Sequence, residues 1–367
     1  MQRYRFLDER KFRFLCEGIT LDSSDMEVLD TTLDGLDKKN QMPSRIVDHN
    51  QKHGFGQPPR FSGHNVIVTL EKFYSPAKGK MCVASVRADL TATGATPALH
   101  INLQSVALDI PQRIELSLRF VLKGLPRLDP TYAVYLHVLR MADGKNFVYY
   151  GITRRGWMKR FDEHVLKALR EESPLLFHRM LRESCAGRIQ QRQGTVQVDD
   201  AGTPSSRVLI GTHHVLCAAG LKAEQALEVE EYLVEKYSFG KPLGLNMIPG
   251  GNAGITYLHK LKVLPSDKRV VADDEKEDLL RKYVETHPRK GLPNPLIAQR
   301  WLDDEYATRV ICASEKRLSA DQVQKIREAA SAGHEVAVIQ KMVNINDKRR
   351  VQRVIDGKTY SRVRSQA

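Results

Sequence analysis

Glu230 is the residue whose surroundings point most directly to chemistry. It lies in residues 223–237, a strong helical pattern. Projected at ~100° per residue, Ala226, Leu227, Leu233, Val234 and Tyr237 all fall within about 60° of it. Glu224, Glu228, Glu231 and Glu235 fall on the polar side. A carboxylate centred in an apolar stripe is costly to bury unless a cation or strong donors meet it. Two readings stay open on this helix alone. One is a glutamate paired with a core arginine; the other is a metal ligand or an acid/base group.

Upstream, Tyr135 and Tyr149 lie on two apolar, aromatic runs, 132–140 and 146–153, separated by Asp143-Gly144. Asp-Gly between such runs is a strong hairpin signal, with positive φ expected at its central positions. The runs are expected to pair antiparallel, one tyrosine on each. Strand tyrosines more commonly pack in a core with the hydroxyl bonded. The helix expected next, at 157–170, adds a reason to look further. Trp157, Phe161, Val165 and Leu169 recur every fourth residue as its apolar row, and Arg160 and His164 form a neighbouring i, i+4 pair.

These elements sit in a chain of 367 residues, long enough for two or three domains. With 41% hydrophobic and 28% charged residues the composition is that of a soluble globular protein. The net charge of +13 favours a polyanionic partner, of which nucleic acid is the usual one. The five cysteines are scattered with no C-x-x-C, which argues against a disulfide framework and a structural zinc site. A reducing, cytoplasmic compartment follows. No run approaches the ~20 apolar residues of a membrane span, and the N-terminus is too polar for a signal peptide.

In chain order, residues 1–125 are expected to form a β-rich or α+β module, with strands near 64–72, 81–88, 98–108 and 114–121. Its role is not legible. Residues 131–250 follow, with a second helix at 175–185, a polar excursion at 190–207 and a third strand at 208–216. His213 and His214 on that strand must point to opposite faces; a structural role is expected for the inward one. Residues 244–251 are turn-rich, so backbone there can approach a neighbour closely. Residues 251–318 are expected to form a linker and helical region. It contains a charged amphipathic helix at 273–285 and two short helical patterns at 296–302 and 306–313, a weak helix-turn-helix signal.

Residues 319–367 are clearer. Ser319 and Gln322 have the form of a capping box opening a helix to about residue 331. A second helix at 336–342, a turn at 343–346 and a third helix at 347–355 follow. Val351, Val354 and Ile355 can face a core, leaving Lys348, Arg349, Gln352 and Arg353 outward, with Lys358 and Arg362 beyond. That is the pattern of a helix-turn-helix whose last helix enters a major groove. Arg and Gln suit guanine and adenine edges, and Lys suits phosphate. A solvated basic face on a small bundle is the alternative.

With these pieces placed, residues 131–250 resemble the GIY-YIG nuclease family. The first signature appears as Ala133-Val134-Tyr135 and the second as Tyr149-Tyr150-Gly151, with Thr153 two residues on. The family's helix arginine and histidine fall on Arg160 and His164, its metal-binding glutamate on Glu230, and its following asparagine on Asn246. Ala133 stands where the family has glycine. The C-terminal segment resembles the helix-turn-helix tails of phage and homing-type endonucleases.

The resemblance implies a small antiparallel three-stranded sheet flanked by helices as catalytic core, beside an all-α DNA-binding region. It implies a Mg²⁺ (or Mn²⁺)-dependent DNA endonuclease acting on double-stranded DNA. Glu230 would hold the metal, Tyr135 activate water and Arg160 stabilise the phosphoryl transition state. Tyr149 and His164 would position water or phosphate, and Asn246 would hold the pocket. A single carboxylate suits one cation rather than a two-metal clamp. Two rival readings are a DNA-binding regulator with an inactive nuclease fold and an RNA nuclease.

Overall fold

The computed structural model describes residues 3–56, 65–89, 96–105, 107–192, 208–269, 272–287, 304–312, 317–361 and 363. They form two compact units, residues 1–291 and 292–367.

The first unit opens with helices α1 (Glu9–Leu15), α2 (Ser23–Asn40) and α3 (Met42–His53). Strands β1 (Asn65–Ser75), β2 (Gly79–Asp89), β3 (Ala98–Gln104) and β4 (Pro111–Ser117) follow, then the hairpin β5 (Tyr132–Met141) and β6 (Asn146–Thr153). After α4 (Trp157–Leu169) and α5 (Leu176–Arg192) come β7 (Leu209–Leu221), α6 (Ala223–Tyr237), α7 (Gly251–Lys260) and α8 (Asp273–Thr286). α2 shows little pattern at first sight. Its stripe is Met26, Leu29, Leu33 and Leu36, all buried, opened by a capping box between Asp22 and Asp25.

The expected small three-stranded sheet is corrected here. All seven strands form one mixed sheet in the order β2-β1-β3-β4-β7-β5-β6. β5 is antiparallel to both β6 and β7, but β7 also pairs parallel with β4 through Gln112↔Thr212 to Glu115↔Val215. The sheet therefore runs unbroken from residues 65–117 into the strands that carry the tyrosines. A continuous hydrophobic core spans the same region, from Phe12 and Leu29 through Ile101 and Ile114 to Tyr135 and Trp157. Parallel pairing between segments a hundred residues apart has no local sequence mark, which is why the hairpin reads as self-sufficient.

The hairpin is as expected, with Tyr135 opposite Gly151 and Tyr149 opposite His137. Its turn differs in type: only Gly144 has positive φ, at 82°. Met141 carbonyl accepts from Gly144 N–H at 3.1 Å, and Met141 N–H donates to Lys145 carbonyl at 2.9 Å. This is a three-residue loop with glycine in the left-handed position.

Helices cover both faces of the β5–β7 region. On one face His137 packs against Trp157 and Phe161 of α4 and Phe177 of α5. On the other, Tyr150 stacks on Tyr237 of α6 at 6.3 Å. His214 is fully buried, bonded to His137 at 3.0 Å and to Gln112 at 3.0 Å, while His213 is half-buried against Glu115. The structural role expected for the inward histidine matches this placement. Among the described residues no helix is long and apolar enough to cross a membrane.

The region expected as a linker from residue 251 opens with a helix, α7, packed on α6. Two glycines in its first turn hide its helical tendency. Gly251 is required there: its φ is +54°, and an added Cβ would lie 2.2 Å from the Leu227 carbonyl oxygen. Gly251→Ala is thus expected to destabilise the first unit by roughly 1–3 kcal/mol or more. A lowered urea midpoint with unchanged m-value would report it; an unchanged midpoint would contradict the close approach.

The second unit contains α9 (Asp304–Cys312), α10 (Ala320–Ser331), α11 (Val336–Val343) and α12 (Lys348–Ile355). Its core is Val323, Ile326, Ile339, Val343, Val351 and Val354. The capping box is present, with Ser319 Oγ accepting from Gln322 N–H at 3.1 Å and Gln322 Oε1 from Ser319 N–H at 3.0 Å. Asn344 ends α11 in the left-handed conformation, and Asp347 caps α12. The segment expected at 296–302 lies outside the described residues.

Candidate active site

The hairpin, α4, α5, α6, the loop after α6 and α8 meet at the β6 edge of the sheet. A cavity of about 40 Å³ lies there, room for one or a few water molecules. Tyr149, His178, Glu230, Asn246, Lys276 and Glu277 are its polar lining.

Asn246 closes the edge. Its Oδ1 accepts from Tyr150 N–H at 3.0 Å and its Nδ2 donates to Tyr150 carbonyl at 2.8 Å. These two bonds extend the ladder onto the loop, which Val148 already pairs with through Leu243 and Leu245. Asn246 is thus a clamp on the strand next to Tyr149.

Glu230 is buried, at 2% exposure, as its place in the stripe requires. The stripe is narrower than expected, since Tyr237 at the end of α6 is 45% exposed. Lys276 Nζ lies 2.8 Å from each Glu230 oxygen, and Gly251 N–H donates to Oε2 at 2.8 Å. The partner is a lysine from α8, not a core arginine.

Arg160, on α4, is 2% exposed. Its guanidinium donates to Glu163 Oε2 at 2.8 Å and to Glu277 Oε2. Glu277 also accepts from the Tyr149 hydroxyl at 2.9 Å, and Lys167 Nζ is 3.5 Å away. His164 Nδ1 is 3.3 Å from Glu277 Oε1 and shares a 2.9 Å hydrogen bond with His178 Nε2. Burial works to raise the Glu277 pKa, but Arg160, His178, Lys167 and the Tyr149 hydroxyl outweigh it and hold the group below the usual carboxylate range. His164 is driven well below the ordinary imidazole value by burial and then by Arg160. Burial lowers His178 to about 4, against the pull of Glu277.

Of the six expected catalytic or metal residues, Tyr149, Glu230 and Asn246 line the cavity, and Arg160 and His164 reach it through Glu277. Tyr135 does not line the cavity. It is fully buried in the strand layer, its ring 4.5 Å from that of His137. His178, Lys276 and Glu277 were not anticipated. Glu277 had a legible signal: it shares an i, i+3, i+7 stripe with Leu280 and Val284, the same anomaly that marked Glu230.

His164, His178 and Glu277 offer ligand atoms within 4.8 Å of one another, donor types that suit a transition metal. Arg160 and Lys167 already neutralise that carboxylate, so a dication there would meet two positive charges. Glu230 suits a hard cation better, as a lone carboxylate beside a water-sized space, once the Lys276 ammonium is elsewhere.

In the second unit, Lys348, Arg349, Arg353 and Lys358 are exposed, and Val351 and Val354 are buried, as the helical pattern requires. Gln352 is half-buried and donates to Asp356 Oδ1 at 2.7 Å; Lys358 pairs with the same carboxylate at 3.0 Å. Arg362 lies outside the described residues.

Comparison with protein-family models, curated proteins and solved structures gave no match to this chain.

The depressed imidazoles set a pH dependence. Below about pH 6.5 the unfolded chain takes up the His178 proton first. Stability from this group is complete above that pH and is lost as pH falls towards its folded value of about 4. Its share is on the order of 3 kcal/mol. His164 acts in the same direction, and Glu277 adds a further loss below the ordinary carboxylate range. Urea melts across this window should show falling stability, and His178→Gln should flatten the slope; identical slopes would contradict a neutral buried His178. Asn246→Ala should cost about 1–3 kcal/mol in the same melts, by leaving Tyr150 N–H and carbonyl unpaired.

Proposed function

We propose that this protein is a divalent-metal-dependent DNA endonuclease whose reaction centre is the cavity at the β6 edge. One observation carries the reading. Three residues singled out on the sequence, Tyr149, Glu230 and Asn246, line one cavity, and two more, Arg160 and His164, meet the Glu277 carboxylate that also lines it.

Phosphodiester hydrolysis needs a nucleophilic water, charge stabilisation at phosphorus and assistance to the leaving oxygen. Arg160 is a fixed, buried guanidinium suited to two phosphoryl oxygens. Its rigidity comes from α4 packing and from Glu163. Tyr149 reaches the same anion position and orients water or phosphate there. His164 and His178, neutral at physiological pH, can accept or relay the proton that water loses as its oxygen bonds to phosphorus. Tyr135, expected as the water-activating group, backs the site from within the strand layer through His137, so Tyr149 takes the water-orienting role. Glu230 would hold Mg²⁺ or Mn²⁺. The bound cation supplies Lewis-acid stabilisation of the phosphate and leaving oxygen.

α12 supplies the DNA anchor in this reading. Lys348, Arg349 and Arg353 form an exposed basic face on the last helix of a helix-turn-helix, and Lys358 extends it. The rival reading, a DNA-binding regulator that does not cut, draws support from the Lys276 ammonium seated on Glu230.

Wild-type protein with Mg²⁺ should nick supercoiled plasmid. Glu230→Ala and Arg160→Ala should slow nicking at least ~100-fold while melts confirm folding. DNA binding without nicking by wild type would favour the regulator, and cleavage of RNA alone the RNA nuclease. Replacing Lys348, Arg349 and Arg353 by Ala should weaken duplex binding and flatten the log–log salt dependence by about 1 per phosphate contact removed. An unchanged slope would remove α12 from the interface.

A further inference from the structure

Two adjacent residues of α8 occupy both halves of the site. Lys276 places an ammonium on the carboxylate that would hold the metal, 2.8 Å from each oxygen. Glu277 places an oxyanion on Arg160, Tyr149 and Lys167, the groups that would hold a phosphate. A cation on Glu230 and an oxyanion on Arg160 are the two charges that a metal–phosphate complex would bring. We propose that α8 is a built-in mimic of that pair, which closes the site until metal and nucleic acid displace it.

The composition of α8 supports this. Asp273, Asp274, Glu275, Glu277, Asp278 and Glu285 outnumber Lys276, Arg281 and Lys282. The helix is acidic in a chain of net charge +13, so it competes for the same cationic groups as a polyanion. Its docking is also unusual. Among the described side chains, those it buries are Lys276, Glu277 and Leu280, two charges and a single apolar group. A helix attached for stability alone would do as well or better with apolar residues at those positions, because burying charges costs desolvation.

Among the described residues, further attachments are partly exposed ion pairs. Arg155 meets Asp274 at 2.7 Å, Arg281 meets Glu171 at 2.8 Å, and Lys167 meets Asp278 at 3.3 Å. Pairs of this kind contribute little and weaken with salt. A duplex presents one phosphate per ~1.7 Å of axis and outcompetes a helix of such modest charge. The cavity left under α8 has room for water but not for a nucleotide, so a substrate phosphate enters only where Glu277 leaves. Ligands then shift a closed–open equilibrium in proportion to their preference for the open form.

The inference rests on the nuclease reading for the identity of what is mimicked, and the test separates the two. Full-length Lys276→Met keeps the side-chain stem and removes the ammonium. Mn²⁺ titration followed by the electron paramagnetic resonance of free Mn²⁺, without DNA, should show at least ~10-fold tighter binding than wild type. Adding Glu230→Gln should abolish the gain. Equal affinity in both chains, or no binding by either, overturns the inference. Tighter Mn²⁺ binding with no plasmid nicking by either chain would sustain α8 as a plug and remove the nuclease reading. Nicking by wild type with unchanged Mn²⁺ affinity would do the reverse. A second measurement needs no variant: hydrogen exchange of wild type. Amides of 273–286 should exchange at least ~10-fold faster with Mn²⁺ and a short duplex than without. Undiminished protection there overturns the inference even if Lys276→Met fails to fold.

Discussion

The burial of the Glu277 carboxylate is the constraint on which the first unit's edge is built. An ionised group at 5% exposure must be met by charge and donors from several directions. Arg160 and Lys167 come from α4, Tyr149 from β6, and His164 with His178 from α4 and α5. Three of these have further support: Glu163 on Arg160, Ser173 Oγ on His178 Nδ1 at 2.8 Å, and the Phe177 ring stacked 4.7 Å from Tyr149. Removing the anion would leave the buried Arg160 with less compensation than its burial demands. The geometry of α4, α5 and β6 is therefore coupled to whatever anion sits among them. In this structure that anion belongs to α8.

The second constraint is mechanical. β6 is the last strand of a seven-stranded sheet, and an edge strand has unpaired backbone groups to satisfy. Val148 is paired by the loop at Leu243 to Leu245, and Tyr150 by the side chain of Asn246. Ser238 ties the same loop to the end of α6 by accepting from Leu245 and Asn246 N–H and donating to Val148 carbonyl. The other side of the hairpin leans on β7, and β7 on β4. The N-terminal strands are in this way part of the platform that holds Tyr149, rather than an appendage to it.

The two units divide the charge chemistry. The first buries Glu230 with Lys276 and Arg160 with Glu277 as mutually compensated pairs. The second presents Lys348, Arg349 and Arg353 on an exposed helix face above a core of valines and isoleucines. Burial makes charges position-sensitive, and exposure makes them tolerant and salt-dependent.

What could be read from the sequence was local. The Asp143-Gly144 turn, the capping box at Ser319 and Gln322, and the extent of α6 follow from φ/ψ preferences and a 3.6-residue period acting within a few residues. Glu230 was legible for the same reason, because a helix wheel alone shows a carboxylate in an apolar stripe. The pairing of β4 with β7, the burial of Tyr135 and the seating of Lys276 on Glu230 were decided by the tertiary structure. The pairing and the seating join segments from 46 to about 100 residues apart, where neither periodicity nor turn chemistry acts. Only the mutual neutralisation of charges and the closure of one core select them. Lys276 and Glu277 read as part of a charged amphipathic helix, and their partners were set by two buried groups of opposite charge, Glu230 and Arg160.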